Sequence, residues 1–161
     1  MQLILWRHAE ASDIVPSDLA RNLTLKGQRQ AAHMAAWLRR NCNEQSDDNW
    51  HQLDWQVLVS PANRTQQTAL ALKLPFLTCD AIAPDLRYEE LISITAWPKQ
   101  QRNIIVVGHQ PTLGMAASHL MHGQASGVSV KKGAMWWFET TRRDDKFHTR
   151  LRAMAAPDAV D

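Results

Sequence analysis

Arginine and histidine side chains follow the ends of apolar segments at three places in this 161-residue chain. Arg7 and His8 come directly after LILW, Arg64 lies just beyond VLVSPAN, and His109 follows IIVVG. Arginine is rarely buried without a partner, so three such ends in one chain indicate a shared anionic ligand. Guanidinium groups and helix N-termini both favour phosphate-like anions. The residue types therefore predict a site for a phosphate-like group.

The elements that must position these residues alternate between strands and helices. Apolar β-like runs predict strands at 2–6, 55–60, 103–109, 133–140 and 147–155, and a short strand with a turn within 76–86. The polar segment 142–146 predicts a turn that joins the last two strands into an antiparallel hairpin. Helical spacing and capping residues predict helices at 24–40 with Thr24 as N-cap, 61–74 with Ser60 as N-cap, 88–97 and 110–121, with a loop at 41–49.

This alternation predicts an α/β fold, a three-layer α/β/α sandwich whose mostly parallel sheet has an antiparallel edge strand. Right-handed crossovers then place helices on both faces of the sheet. Ligands of open α/β sheets bind beyond the carboxyl ends of the strands. We therefore expect Arg7, His8, Arg64 and His109 to meet at one edge.

The composition limits the class of protein. The chain is 45% hydrophobic and 21% charged, with a formal net charge of +2, which predicts one globular domain over 1–155 and a frayed tail at 156–161. No basic stripe suggests a nucleic-acid partner. No apolar stretch approaches the ~20 residues that a membrane helix needs, and no signal peptide is recognisable, so we expect a cytoplasmic protein.

Three motifs in order resemble those of the histidine phosphatase superfamily, also called the phosphoglycerate-mutase-like family. LILWRHAEA is similar to its R-H-G or R-H-A signature, VLVSPANRTQQTA to S-P-x-x-R-x-x-Q-T, and VVGHQP to G-H-x-P. The short chain and the segment RNLTLKGQRQA most resemble the SixA-type phosphohistidine phosphatases. That last segment implies that Arg21 is a further phosphate ligand.

The resemblance also implies a mechanism. His8 is then the nucleophile that becomes a phosphohistidine, Arg7, Arg64 and Arg21 neutralise the phosphoryl oxygens, and His109 donates a further hydrogen bond. This arrangement requires no metal and no cofactor. The remaining histidines, including His119 and His122, fit no complete set of metal ligands.

The general acid is left open by the sequence. Many members of the superfamily carry a glutamate between the second and third motifs, where this chain has Glu89 and Glu90; Glu10, beside the nucleophile, is another candidate. A solvated carboxylate in a first helical turn is an equally good interpretation of Glu89 and Glu90.

The leaving group favours one substrate class. An alkyl phosphate expels an alkoxide and gains much from a general acid, whereas phosphohistidine expels imidazole, a weak base. We therefore expect a phosphorylated protein, with phosphohistidine as the phosphorylated group, as the partner. The alternatives are a phosphatase for small phosphorylated metabolites and a non-catalytic module that binds phosphate or a partner protein.

Overall fold

The computed structural model describes residues 1–13, 17–42 and 54–160 of the chain. Residues 43–49 of the predicted loop at 41–49 lie outside these residues, as does Asp161. The main elements, in chain order, are β1 (Gln2–Arg7), α1 (Leu25–Cys42), β2 (Trp55–Val59), α2 (Asn63–Leu70), β3 (Leu77–Thr78), α3 (Tyr88–Thr95), β4 (Asn103–Gly108), α4 (Thr112–His122), β5 (Met135–Arg143) and β6 (Lys146–Ala155).

The strands form one six-stranded sheet in the order β3-β2-β4-β1-β5-β6. The first four strands in that order run parallel, whereas β5 pairs antiparallel with both β1 and β6. The predicted mostly parallel sheet with an antiparallel edge is therefore confirmed. The strand that opposes the others is β5, which lies second from the edge, because β6 folds back on it as a hairpin.

Alternate residues of the central strand β1 contribute to two separate cores. Ile4 and Trp6 pack with residues of α1 and α2, and Leu3 and Leu5 pack with residues of α3 and α4. All four side chains are fully buried. A parallel strand covered on both faces needs such a continuous apolar run, and the resulting arrangement confirms the predicted α/β/α layers.

The helices begin and end close to the predicted positions, with three differences. Thr24 is the predicted N-cap of α1, since its Oγ1 accepts the Gly27 N–H at 3.0 Å, but the helix continues through Cys42 rather than ending at residue 40. The second helix starts at Asn63 without a side-chain cap and stops at Leu70. The third ends at Thr95, because Ala96 adopts a left-handed conformation with φ of 42°.

The last two strands are longer than predicted and join through a tighter turn. Only Asp144 and Asp145 separate β5 from β6, with φ of 48° and 60°. Two successive left-handed residues form the hairpin turn whose twist matches that of the strands. The polar segment 142–146 is therefore mostly strand rather than a turn.

Residues 156–160 pack against the domain, in contrast to the frayed tail expected at 156–161. The Ala159 N–H donates to Ala156 O at 2.9 Å, and Val160 packs against the core on the α1 side. Pro157 covers Gly133, which leaves no room there for a Cβ. Among the described helices, none is long and apolar enough to cross a membrane.

Candidate active site

Three strand ends meet at the carboxyl edge of the sheet. His8 follows β1, and its N–H donates to Gly108 O at 3.1 Å at the end of β4. Ser60 follows β2, and its N–H donates to Val107 O at 3.1 Å. His109 follows β4 directly. The parallel register of β2, β4 and β1 thus aligns these three ends, as the sequence predicts.

Hydrogen bonds of His8 determine which ring nitrogen is available. Its Nδ1 lies 2.7 Å from Ala9 O. Since a carbonyl oxygen only accepts, Nδ1 must carry the proton and Nε2 must carry the lone pair. Burial, together with the nearby positive charges of Arg64 and Arg7, lowers the pKa of His8 to about 4. The ring is therefore neutral at pH 7, with Nε2 able to act as a nucleophile.

His109 is also buried and neutral. Burial and the charge of Arg64 lower its pKa to about 3. Its Nδ1 lies 3.3 Å from an Arg64 terminal nitrogen, which can only donate, so the proton belongs on Nε2, 2.7 Å from Ser60 Oγ. The one N–H of the ring is thus directed to Ser60. The expected donation from His109 to a phosphate stays a prediction.

Ser60 is accordingly a partner of His109 rather than the predicted cap of α2. Its hydroxyl is fully buried, and the His109 Nε2–H reaches it from a strand end 49 residues away. The Ala62 N–H contacts the same oxygen only at 3.4 Å. The Ser-Pro pair therefore lies just before the helix instead of opening it, and Ser60 makes this long-range hydrogen bond.

Arg64 lies in the first turn of α2 and is 4% exposed. Its terminal nitrogens donate to Asp18 O at 2.6 Å and Asp18 Oδ2 at 2.8 Å. Arg7 donates to Val130 O at 2.7 Å. The Nε atoms of both arginines are buried and have no hydrogen-bond partner among the described residues. Buried donors without acceptors are uncommon in folded proteins, and both of these arginines line the pocket described below, where their positive charges suit an anionic ligand.

Arg21 reaches the same pocket from the segment before α1. Its Nε donates to Ser12 O at 2.8 Å, and its terminal nitrogens contact Asp13 and Asp18. The hydrogen bond from Arg64 to Asp18 is the main cause that lowers the pKa of that carboxyl, and Arg21 contributes. Asp18 therefore bridges two of the arginines predicted to bind phosphate.

These side chains line one pocket of about 270 Å³. Its lining residues are Arg7, His8, Asp18, Arg21, Arg64, Pro84, Asp85, His109, Gln110 and Lys132. The structure thus brings together all five arginines and histidines that the sequence singled out. Its carboxylates, however, are Asp18 and Asp85.

The glutamates considered as general acids lie elsewhere. Glu10 pairs with Lys26 at 2.9 Å and accepts from Thr24, and Glu89 pairs with Arg87 at 2.9 Å. Glu90 is exposed in the first turn of α3. None of the three lines the pocket. The chain reaches the pocket rim at Pro84 and Asp85 instead, several residues before α3 begins.

The Gln-Thr pair of the second motif holds the loops around the site. Gln67 Oε1 accepts the Leu23 N–H at 2.7 Å, and Thr68 Oγ1 accepts the Ala9 N–H at 3.1 Å. Both residues lie in α2, beside Arg64. Sequence reasoning overlooked these contacts, although the motif itself contained the signal. Asp18, three residues before Arg21, carried no comparable signal in a single sequence.

The described residues contain no group of three or more His, Cys, Asp or Glu side chains arranged to hold a metal ion. His119 lies on α4, where its ring is 5.5 Å from that of Tyr88, away from the pocket.

Comparisons with known proteins agree with the motifs. A Haemophilus influenzae protein, described as a homologue of the phosphohistidine phosphatase SixA, is 28% identical over 139 residues, or 80% of this chain and 82% of its own. The solved structure of the protein histidine phosphatase SixA complexed with tungstate has a TM-score of 0.78, with 23% identity and 98% of each chain covered.

A second solved structure has the same fold with a different stated activity. The phosphoserine phosphatase of Entamoeba histolytica, as an H9A mutant with phosphoserine, has a TM-score of 0.66, with 15% identity and 98% of each chain covered. No protein-family model matches the chain. The predicted resemblance to the histidine phosphatase superfamily, and to its SixA-type branch, is confirmed in both sequence and fold.

Proposed function

We propose that this chain, which has the fold and motifs of histidine phosphatases, hydrolyses a phosphoryl group through a covalent intermediate on His8. The hydrogen bond from His8 Nδ1 to Ala9 O carries the proposal, because it leaves the lone pair on Nε2. A pKa of about 4 keeps this imidazole unprotonated and nucleophilic at neutral pH.

The first step forms a bond between His8 Nε2 and phosphorus. The bond from phosphorus to the leaving group breaks, and its electron pair departs with that group. Charge on the three equatorial oxygens is neutralised by Arg7, Arg21 and Arg64, whose guanidinium groups face one pocket. Preorganised donors of this kind supply most of the acceleration of phosphoryl transfer. His109 orients Arg64 by accepting its N–H.

The second step releases phosphate. A water oxygen bonds to phosphorus, the Nε2–P bond breaks, and its electron pair returns to His8. The water protons leave with the phosphate product or pass to solvent. No residue besides His8 has to form a covalent bond, and no metal ion or organic cofactor takes part in the proposed cycle.

The substrate we propose is phosphohistidine on another protein. The similarity to a SixA homologue supports this choice. The leaving group supports it as well, because imidazole departs without strong acid catalysis. The fold shared with a phosphoserine phosphatase keeps a small phosphate ester as the second candidate. The cytoplasmic location expected from the sequence stays a prediction.

The test is a search for the intermediate and a comparison of substrates. Wild-type protein mixed with a phosphohistidine peptide and quenched at alkaline pH is expected to carry one phosphoryl group on His8, detected by mass spectrometry. His8→Ala should remove nearly all activity, whereas His148→Ala, on the exposed hairpin, serves as the matched control.

Other outcomes would redirect the assignment. Phosphate binding without turnover would make the protein a binding module. A higher kcat/KM for phosphoserine or a sugar phosphate than for the phosphohistidine peptide would identify a small-molecule phosphatase.

A further inference from the structure

An ionised carboxylate borders the pocket and has no role in the reaction described above. Asp18 Oδ2 lies 2.8 Å from an Arg64 nitrogen, and its Oδ1 lies 3.3 Å from an Arg21 nitrogen. The Arg64 hydrogen bond keeps the pKa of Asp18 below its usual value. About half of its side chain is exposed, at 54%, so the side chain is accessible from solvent as well as lining the pocket.

A second unused acceptor lines the same pocket. Gln110 donates through its amide nitrogen to Val128 O, and its buried Oε1 accepts no hydrogen bond among the described residues. The lining of the pocket thus includes acceptors on Asp18, Asp85 and Gln110 beside its arginine donors. An oxygen leaving group needs a proton donor, whereas a protonated imidazole presents an N–H that needs an acceptor.

We propose that Asp18 is a specificity-determining residue that binds the protonated imidazole of a phosphohistidine substrate. This inference rests on the proposed function. When His8 Nε2 bonds to phosphorus, the substrate N–P bond breaks and its electron pair stays on that ring nitrogen. The other ring nitrogen already carries a proton, so the group departs as neutral imidazole. While the N–P bond is intact, Asp18 accepts the N–H of that second nitrogen and stabilises the positive charge of the protonated ring.

The same carboxylate disfavours ester substrates. An alkoxide or phenoxide gains negative charge as it departs, and a nearby anion raises the energy of that charge. Asp18 thus acts on the two leaving groups with opposite signs. A residue that only held Arg64 and Arg21 in place would affect all phosphoryl substrates alike, which makes the ratio between two substrates the informative measurement.

Charged and titratable groups from several elements line the pocket together with Asp18. They are Arg7 and His8 after β1, Arg21 before α1, Arg64 in α2, Asp85 before α3, His109 after β4, and Lys132 before β5. Arg64 and Arg21 touch Asp18 directly, and both favour its carboxylate form.

The experiment compares Asp18→Asn with wild type on phosphoimidazole and p-nitrophenyl phosphate. An opposite charge moves a neighbouring pKa by about one unit or more, so we expect a loss of about tenfold in kcat/KM for phosphoimidazole near neutral pH. On p-nitrophenyl phosphate kcat/KM should change by at most about threefold in either direction, because the relief of repulsion of the departing phenoxide opposes the loss of the ion pairs with Arg64 and Arg21. Asp13→Asn is the matched control, because Asp13 also pairs with Arg21 but does not line the pocket.

The pH profile separates specificity from positioning. Asp18 favours the protonated form of the bound substrate ring. In Asp18→Asn the alkaline limb of the pH profile of kcat for phosphoimidazole should therefore move to lower pH by about one unit. Asp13→Asn should keep the wild-type profile and substrate ratio. Equal losses of Asp18→Asn on both substrates, with an unmoved limb, would overturn the role of Asp18 alone. Failure of wild type to hydrolyse phosphoimidazole would overturn the proposed function as well.

Discussion

At the scale of single residues, the site depends on two histidines that are buried without charge. His8 is 5% exposed and His109 is 4% exposed, and the rings are 5.3 Å apart. Burial beside arginines disfavours a second positive charge, which lowers both pKa values. The same effect that keeps His8 nucleophilic therefore makes the folded protein sensitive to acid.

The free energy of unfolding should fall as the pH drops from about 6.5 towards 4. An unfolded histidine protonates near pH 6.5, but His8 does so only at about pH 4, so the unfolded chain binds more protons between these values. The contribution of neutral His8 to the free energy of unfolding is complete above about pH 6.5 and is lost as the pH falls to about 4. The loss attributable to His8 is on the order of 3 kcal/mol.

Urea unfolding at pH 7, 6, 5 and 4 measures this loss. His8→Gln and His109→Gln should each flatten the dependence, while His148→Gln controls for removal of a histidine from the exposed hairpin. Wild-type stability that stays level between pH 7 and pH 4 would contradict the prediction.

The carboxylate that assists an oxygen leaving group should be Asp85. It lines the pocket, whereas Glu89 and Glu90 lie outside it. Asp85→Asn should slow phosphoserine hydrolysis by ~10²-fold or more, the usual contribution of a general acid, and phosphohistidine hydrolysis much less. Glu90→Gln is the matched control for both substrates. If Glu90→Gln slowed phosphoserine hydrolysis more than Asp85→Asn, the general acid would be Glu90 in α3 rather than Asp85.

At the scale of elements, close packing between α1 and the segment after β1 positions the nucleophile. Thr24 caps α1 and donates through its hydroxyl to Glu10 Oε1 at 3.0 Å. A Cβ on Gly27 would lie 1.9 Å from Glu10 O, so only glycine permits this approach. Glu10 is two residues from His8, and α2 holds Ala9 between them through Thr68.

Gly27→Ala should therefore destabilise the protein. Replacing glycine by alanine in a helix interior normally increases stability by up to ~1 kcal/mol. Here the helix or the segment after β1 must move to make room for the Cβ, which costs about 1–3 kcal/mol or more of stability. Activity should fall together with stability. Thermal unfolding and kcat/KM measure both effects.

Gly127→Ala provides the comparison, since nothing lies within 4 Å of its Cβ position. A gain in stability for Gly27→Ala would show that α1 is free to shift.

At the scale of the whole molecule, the sheet that carries the site at its carboxyl edge is packed on both faces, with one hydrophobic core on each side. The C-terminal residues 156–160 close the α1 side through Val160, and Ala156 packs on the other side. Pro157 packs on Gly133, whose N–H donates to His8 O at 3.0 Å. The C-terminal residues thus contact Gly133, which is hydrogen-bonded to the backbone of His8.

Removal of residues 156–161 should lower the free energy of unfolding by about 1–3 kcal/mol, because it exposes apolar surface of both cores. Asp158→Asn, which removes only the exposed ion pair with Lys131, should change stability little. Denaturant unfolding of the two variants distinguishes packing from charge. Equal stability of the truncated and complete chains would support the frayed tail instead.

The sequence by itself determined the fold class and the side chains with the strongest chemistry. Alternating strands and helices specify a mostly parallel sheet, and its carboxyl ends necessarily share an edge. Arg7, His8 and His109 adjoin those ends in the chain, and Arg64 is within one helical turn of another. The positions of these four residues next to strand ends in the sequence were therefore enough to predict that their side chains lie in one site.

Tertiary structure alone decided which other groups join them. Ser60 was expected to cap α2, but β4 brings His109 within 2.7 Å of its hydroxyl. Asp18 and Asp85 line the pocket in place of Glu10, Glu89 and Glu90, because the loops before α1 and α3 determine which carboxylates reach the edge. Such contacts depend on the relative placement of segments far apart in the chain, which local spacing does not encode.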